Sequence, residues 1–259
     1  MTSARAIDLP RRFDVLGVGI SETNLAEASD IVAAWLSSDA REYVCVTNVH
    51  AVMECQDDPQ LRLIQNSSGL TVPDGRPLVW CGRRLGSVKI GHVRGADLML
   101  RIIERSAREG WRSFFLGGKP ETSELLADVL IRQFPGLTVA GIESPPFREP
   151  TPAEERATIA RINDSGADLV WVGLSAPKQE HWMARNRDAL DARVLLGVGG
   201  AFDFLSGGKR QAPRRLQRAG LEWAFQLALE PRRMWRRYAR TNPTFLAKII
   251  RRPPRWQHR

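Results

Sequence analysis

The chain has 259 residues, 43% of them hydrophobic and 26% charged, with a formal net charge of +9. That length suits one large α/β domain or a core with an appendage, and the composition excludes wholesale disorder. No apolar run approaches the roughly eighteen residues of a membrane span, and residues 1–12 lack the apolar stretch of a secretory signal, so neither is expected.

Short apolar runs alternate with helical patterns as far as residue 208. Residues 13–20 read as a strand, and 25–36 as a helix with Ser21 or Thr23 near its start. Residues 43–47 form the next strand, followed by two short helices, the second over 60–65. A short strand at 70–72 ends at Pro73-Asp74-Gly75. Residues 96–108 form a helix closed by Gly110. A strand at 113–116 runs into Gly117-Gly118-Lys119-Pro120, a helix covers 122–133, and a strand covers 137–141. After a proline-rich loop comes a helix at 153–163. The segments 168–174 and 193–198 are apolar enough for strands buried on both faces, and Pro177 suits the first residue of the helix between them. This alternation predicts a Rossmann-like parallel sheet flanked by helices. Ligands of such sheets bind beyond the carboxyl ends of the strands, so the turns that follow strands are where chemistry is sought.

Charge divides the chain unevenly. Residues 209–259 hold fifteen Lys or Arg and two acidic residues, a net of +13, while residues 1–208 carry a net of −4. The expected organisation is a catalytic core over 1–208 and a basic helical appendage over 209–259, its helices broken at Pro213, Gly220, Pro231, Pro243 and Pro253-Pro254. Such asymmetry points to an anionic partner: phosphate groups, a lipid surface or nucleic acid. The three cysteines, Cys45, Cys55 and Cys81, lack metal-ligand spacing and read as buried reduced thiols of a cytosolic protein.

Several strand-end residues could carry chemistry. Asp74 could take a proton from a substrate hydroxyl, or serve as a turn or capping aspartate. Thr47-Asn48 could hydrogen-bond a polar ligand or start the next helix. The glycine turns at 117–118 and 197–200 could admit a phosphate or make tight strand-to-helix turns; neither fits a dinucleotide fingerprint or a P-loop. Gln179, in Pro177-Lys178-Gln179-Glu180, would face the ligand edge from the first turn of a helix, with Glu180 compensating the helix dipole. Paired arginines in the appendage could neutralise a pyrophosphate, each bidentate contact contributing roughly 1.5–3 kcal/mol, or form a solvated basic face.

Taken together, these blocks resemble the WecG/TagA/CpsF bacterial glycosyltransferases. The matching residues are Thr47-Asn48, Pro73-Asp74-Gly75-Arg76-Pro77-Leu78-Val79-Trp80, Arg94-Gly95-Ala96-Asp97-Leu98 and Phe115-Leu116-Gly117-Gly118. They continue with residues 172–180, with Gly197-Val198-Gly199-Gly200-Ala201-Phe202-Asp203-Phe204, and with residues 220–223, 230–233 and 235–238. The blocks span about residues 13–246 in family order. Two positions depart from the pattern: Ser175 stands where Gly is common, and Gln211 where Arg commonly precedes Ala-Pro.

The resemblance implies transfer of a sugar from a UDP-sugar to a polyprenyl-pyrophosphate-linked saccharide at the inner membrane face, in cell-surface polysaccharide biosynthesis. It makes Asp74 the base and puts Thr47 in the pocket. It assigns Gln179 to the nucleotide-sugar site and appendage arginines to the diphosphate. Asn48, Arg94, Gly117, Gly118, Gly199, Gly200 and Asp203 are expected at the substrate through the same motifs. An inverting, metal-independent reaction is expected, because no two aspartates have D-x-D spacing and the appendage supplies cations, with Arg214, Arg233 and Arg237 as candidates. No cofactor is expected. The first donor sugar to try is N-acetylmannosamine; glucose and N-acetylmannosaminuronic acid are alternatives within the family. Peripheral association with an anionic membrane surface is expected of the appendage, and the oligomeric state, a homo-oligomer included, is open. The competing reading of another class is a nucleic-acid-binding module using the basic tail; no nucleic-acid motif supports it, and the acidic core would repel a polyanion. An NAD(P)-dependent oxidoreductase is disfavoured by the missing fingerprint.

Overall fold

The computed structural model describes residues 8–209, 212–213, 215–216, 222–229 and 231–257, without side chains at 222, 223, 226 and 231–240. It opens not with one strand but with a hairpin, β1 (Arg12–Val15) and β2 (Val18–Ser21), paired Phe13 to Ile20 and Val15 to Val18. Leu16 and Gly17 both take positive φ, 56° and 91°. A two-residue turn of this kind matches the twist of the flanking strands, and it splits the apolar run at 13–20 in two.

Helix α1 (Leu25–Leu36) is capped by Asn24, whose side chain accepts from the amides of Ala26 and Glu27, rather than by Ser21 or Thr23. The main sheet then builds from β3 (Glu42–Thr47), β4 (Leu70–Pro73), β5 (Arg112–Gly117), β6 (Thr138–Glu143), β7 (Leu169–Gly173) and β8 (Val194–Gly197). Its order is β4-β3-β8-β7-β5-β6, every pair parallel. The connecting helices are α2 (Val49–Asp57), α3 (Pro59–Ser67), α4 (Arg76–Arg84), α5 (Gly95–Glu109), α6 (Pro120–Gln133), α7 (Pro152–Asp164), α8 (Lys178–Asn186) and α9 (Ala201–Leu205). Gly110 ends α5 at φ 77°, as expected, and Pro177 precedes α8 by one residue instead of starting it. Strand β6 runs two residues past its expected end, beyond a register shift between Ser113 and Phe114.

Alternation along the strands fills both faces. Val44, Phe115, Leu169, Trp171 and Leu196 face one side, under α1, α5, α6 and α9. Cys45, Phe114, Val170, Val172 and Leu195 face the other, against α3, α7 and α8. Burying each such side chain is worth about 1.5–3 kcal/mol, so the sheet is the stable platform of the molecule.

The last part of the basic segment packs against the hairpin. Helix α10 (Glu222–Leu229) precedes α11 (Pro231–Arg251), which runs through Pro243 where a break was expected. A helix-interior proline loses a hydrogen bond and costs about 3 kcal/mol. Here Phe245 is buried with the hairpin, α2 and α4, and Ile249 packs against the same cluster, which holds the turn beyond the proline. The helix stops before Pro253-Pro254, as expected. Strand β9 (Arg255–Trp256) then joins the hairpin beside β1, Phe13 opposite Trp256. Trp256 stacks edge-on against Phe13 at 5.9 Å, donates to the Leu85 carbonyl at 3.2 Å, and carries the Arg11 guanidinium 4.1 Å over its ring. The break expected at Gly220 lies outside the described residues. Among the described residues no helix is long and apolar enough to cross a membrane.

Candidate active site

Strand register gathers the expected residues along one edge. Thr47 lies beside Pro73, Gly117 beside Gly173, and Val172 beside Gly197. The turns after β3, β4, β5, β7 and β8 therefore open on the same carboxyl side of the sheet.

Asp74 is the first residue past β4. Its amide donates to the Thr47 carbonyl at 2.7 Å, and Gly75 follows at φ 103°, a left-handed turn that suits glycine. The Asp74 carboxylate is not a helix cap: α4 has no side-chain cap bond. Instead its Oδ1 lies 2.8 Å from His92 Nε2, with the two side chains 30% and 16% exposed. A carboxylate only accepts, so this ring nitrogen carries the proton. The backbone around His92 is tied down on both sides, Gly91 N–H to the Thr23 carbonyl at 3.0 Å and Val93 N–H to the Pro73 carbonyl at 2.9 Å. Sequence reasoning missed His92. It lies in the loop before α5 with no spacing motif of its own, and only its position two residues before Arg94 could have drawn attention to it.

Thr47 is fully buried, and its hydroxyl donates to Gln65 Oε1 at 2.6 Å. Asn48 caps α2, accepting from the Ala51 amide at 3.1 Å, which is the helix-starting role the sequence left open. Arg94 precedes α5 and pairs with Asp97 at 2.5 Å. Asp203, on α9, pairs with Lys209 at 2.9 Å.

The glycine turns owe their composition to close approach. A Cβ on Gly117 would sit 2.6 Å from the Gly173 carbonyl, and the Gly118 amide donates to that carbonyl at 3.2 Å. Gly199 takes φ 51° and Gly200 leads into α9. Ser175 takes φ 67°, a conformation more natural to glycine.

Beneath the β8 turn lies a buried polar pair. Gln179 donates its side-chain amide to Glu180 Oε1 at 3.0 Å. Gln179 Oε1 and Glu180 Oε2 have no hydrogen-bond partner among the described residues. Burial, aided by Glu54, pushes the Glu180 carboxyl up to about 7, against the lowering bond from Gln179. Glu180 is thus more than a first-turn countercharge. The cysteines are free and buried as expected; burial raises Cys55 to about 12 and Cys81 to about 11, which keeps both as thiols near neutrality.

The structure brings Asp74 and Thr47 to adjoining strand ends, with Gln179 beneath the turn that follows β8. Arg214 and Gln211 lie outside the described residues, as do the side chains of Arg233 and Arg237, whose backbone is in α11. Among the described residues, no three His, Cys, Asp or Glu side chains are grouped to hold a metal ion.

A partly exposed carboxylate at a strand end, with one oxygen only engaged among the described contacts, can accept a proton from a hydroxyl. The family model that matches this sequence, over residues 13–259, is that of the glycosyl transferase WecG/TagA/CpsF family.

Proposed function

This chain belongs to the WecG/TagA/CpsF family of glycosyltransferases, enzymes of polysaccharide biosynthesis, and we propose that it carries out an inverting, metal-independent transfer from a UDP-sugar. The acceptor is a polyprenyl-pyrophosphate-linked saccharide. Its hydroxyl gives its proton to Asp74 as the oxygen bonds to the anomeric carbon. The bond from that carbon to the diphosphate breaks, and the electron pair leaves with UDP. Fixed cations stabilise the departing charge, with Arg214, Arg233 and Arg237 in that role. N-acetylmannosamine is the first donor to test; glucose and N-acetylmannosaminuronic acid follow.

The observation that carries this reading is the Asp74 carboxylate at the sheet's carboxyl edge, engaged through one oxygen only among the described contacts. The test pairs UDP calorimetry with transfer from a panel of UDP-sugars to a polyprenyl-pyrophosphate-linked monosaccharide. Asp74→Asn should bind UDP as the parent does and lose at least about 100-fold in turnover. Near-normal turnover removes Asp74 from the mechanism. Salt-sensitive oligonucleotide binding without UDP binding would support the nucleic-acid reading instead.

The same reading holds the protein peripherally at the inner face of the cell membrane. Leu246 and Ile250, one turn apart on α11, are 58% and 80% exposed. Lys248 and Arg251 lie in the same last turn, with Arg252 just beyond it. An apolar pair flanked by cations suits an anionic bilayer surface, where each basic residue contributes about 1 kcal/mol.

A further inference from the structure

We infer that His92 is the positioning residue of the Asp74 carboxylate: its Nε2–H holds Oδ1 and leaves Oδ2 as the oxygen that receives the acceptor's proton. The inference rests on the reading of Asp74 as the base, and it adds a group that no motif of the sequence assigns.

Three observations carry it. The Nε2 to Oδ1 separation of 2.8 Å is a full hydrogen bond to a carboxylate. Both partners hang from the same strand end, since Val93 N–H donates to the Pro73 carbonyl at 2.9 Å and Asp74 directly follows Pro73. The ring's backbone cannot drift independently. Gly91 is bonded to Thr23, a Cβ at Gly91 would meet the Asn24 Cβ at 3.0 Å, and Ile90 and Val93 on either side are buried. The pair is therefore set in place before any ligand arrives, and preorganisation of this kind lowers the barrier only if the carboxylate is already aimed.

Exposure decides which partner meets substrate. Asp74 is nearly twice as open as His92, at 30% against 16%, so the carboxylate is the better placed of the two to meet substrate. In the reaction the proton passes from the acceptor hydroxyl to Oδ2. The developing carboxylic acid keeps its bond to His92 through Oδ1, and His92 neither gains nor loses a proton.

The test compares three variants of the full chain by steady-state transfer from the active UDP-sugar, with UDP affinity measured alongside. His92→Ala removes the donor; kcat should fall by about 100-fold, with KM for the donor sugar and UDP affinity unchanged. His92→Gln restores an N–H on a side chain of similar reach, and should recover at least about a tenth of the parent kcat. Unchanged kcat in His92→Ala would make His92 a bystander and overturn the inference. A His92→Gln variant as inactive as Asp74→Asn, with UDP affinity intact, would mean that an N–H donor at this position does not suffice, and would overturn it too. Failure of the underlying reading looks different: Asp74→Asn then turns over normally. If His92→Ala loses UDP affinity and thermal stability together, its role is structural and the inference fails.

Discussion

Gln179 gives its side-chain amide to Glu180, 3.0 Å away, while its own carbonyl oxygen and the far oxygen of Glu180 have no hydrogen-bond partner among the described residues. The pair fixes which way the glutamine points, since only its nitrogen end can donate to a carboxylate.

Stability should depend on pH through this pair. The folded protein holds the Glu180 proton up to about pH 7, whereas an ordinary glutamate releases it near 4.5. Between those values the unfolded chain binds fewer protons, so stability falls as pH rises through the window. Glu180→Gln abolishes the fall. It should match the parent at pH 4 and exceed it at pH 8 by about 3 kcal/mol at most. Urea midpoints at the two pH values check this, and a gap that does not widen with pH refutes it.

Gly117→Ala should destabilise by about 3 kcal/mol or more, because the left-handed φ of 118° and a Cβ 2.6 Å from the Gly173 backbone cannot both be relieved. The urea midpoint reads the loss. Gly86→Ala is the control: φ there is 83° with nothing within 4 Å, so the loss should stay near 1 kcal/mol.

Trp256→Ala should destabilise by about 2–3 kcal/mol by stripping Phe13 and Arg11 of their ring contact. Calorimetric melting checks it. An unchanged melting temperature would mean that β9 contributes no stability.

Membrane association should weaken when Leu246 and Ile250 both become Ser, with melting unaltered, since both side chains are exposed. Flotation with vesicles containing anionic lipid reads this. A chain ending at Gly208 would be a poorer test, because it also removes Phe245 and Trp256 from the hairpin cluster. Equal flotation of the double variant and the parent would dismiss the role of this face.

The main sheet was legible because strands such as β7 and β8, covered on both sides, are continuous apolar runs between helical patterns. The edge of the sheet was legible too, since Thr47, Asp74, Gly117 and Gly199 each follow such a run. The hairpin was not, because Leu16 is no turn former and its positive φ is imposed by pairing and by the buried cluster around it. A two-residue strand after Pro253-Pro254 has no period to read. Pro243 argues against a helix locally, and burial of Phe245 overrides it. His92 matters through a bond from the neighbouring Val93 to Pro73, a relation between distant segments that spacing does not encode.

The antiparallel seam between β1 and β9 changes what kind of object the cationic segment is. Phe245 is buried in the hairpin cluster and Trp256 docks beside Phe13, so the end of α11 and the strand after it form a handle held at two points and not a free whip. The seam pairs Phe13 and Asp14 with Trp256 and Arg255, far apart in the sequence, so the hairpin waits for its third strand until synthesis has passed residue 256. Non-local pairing of this kind forms slowly, and the handle closes late.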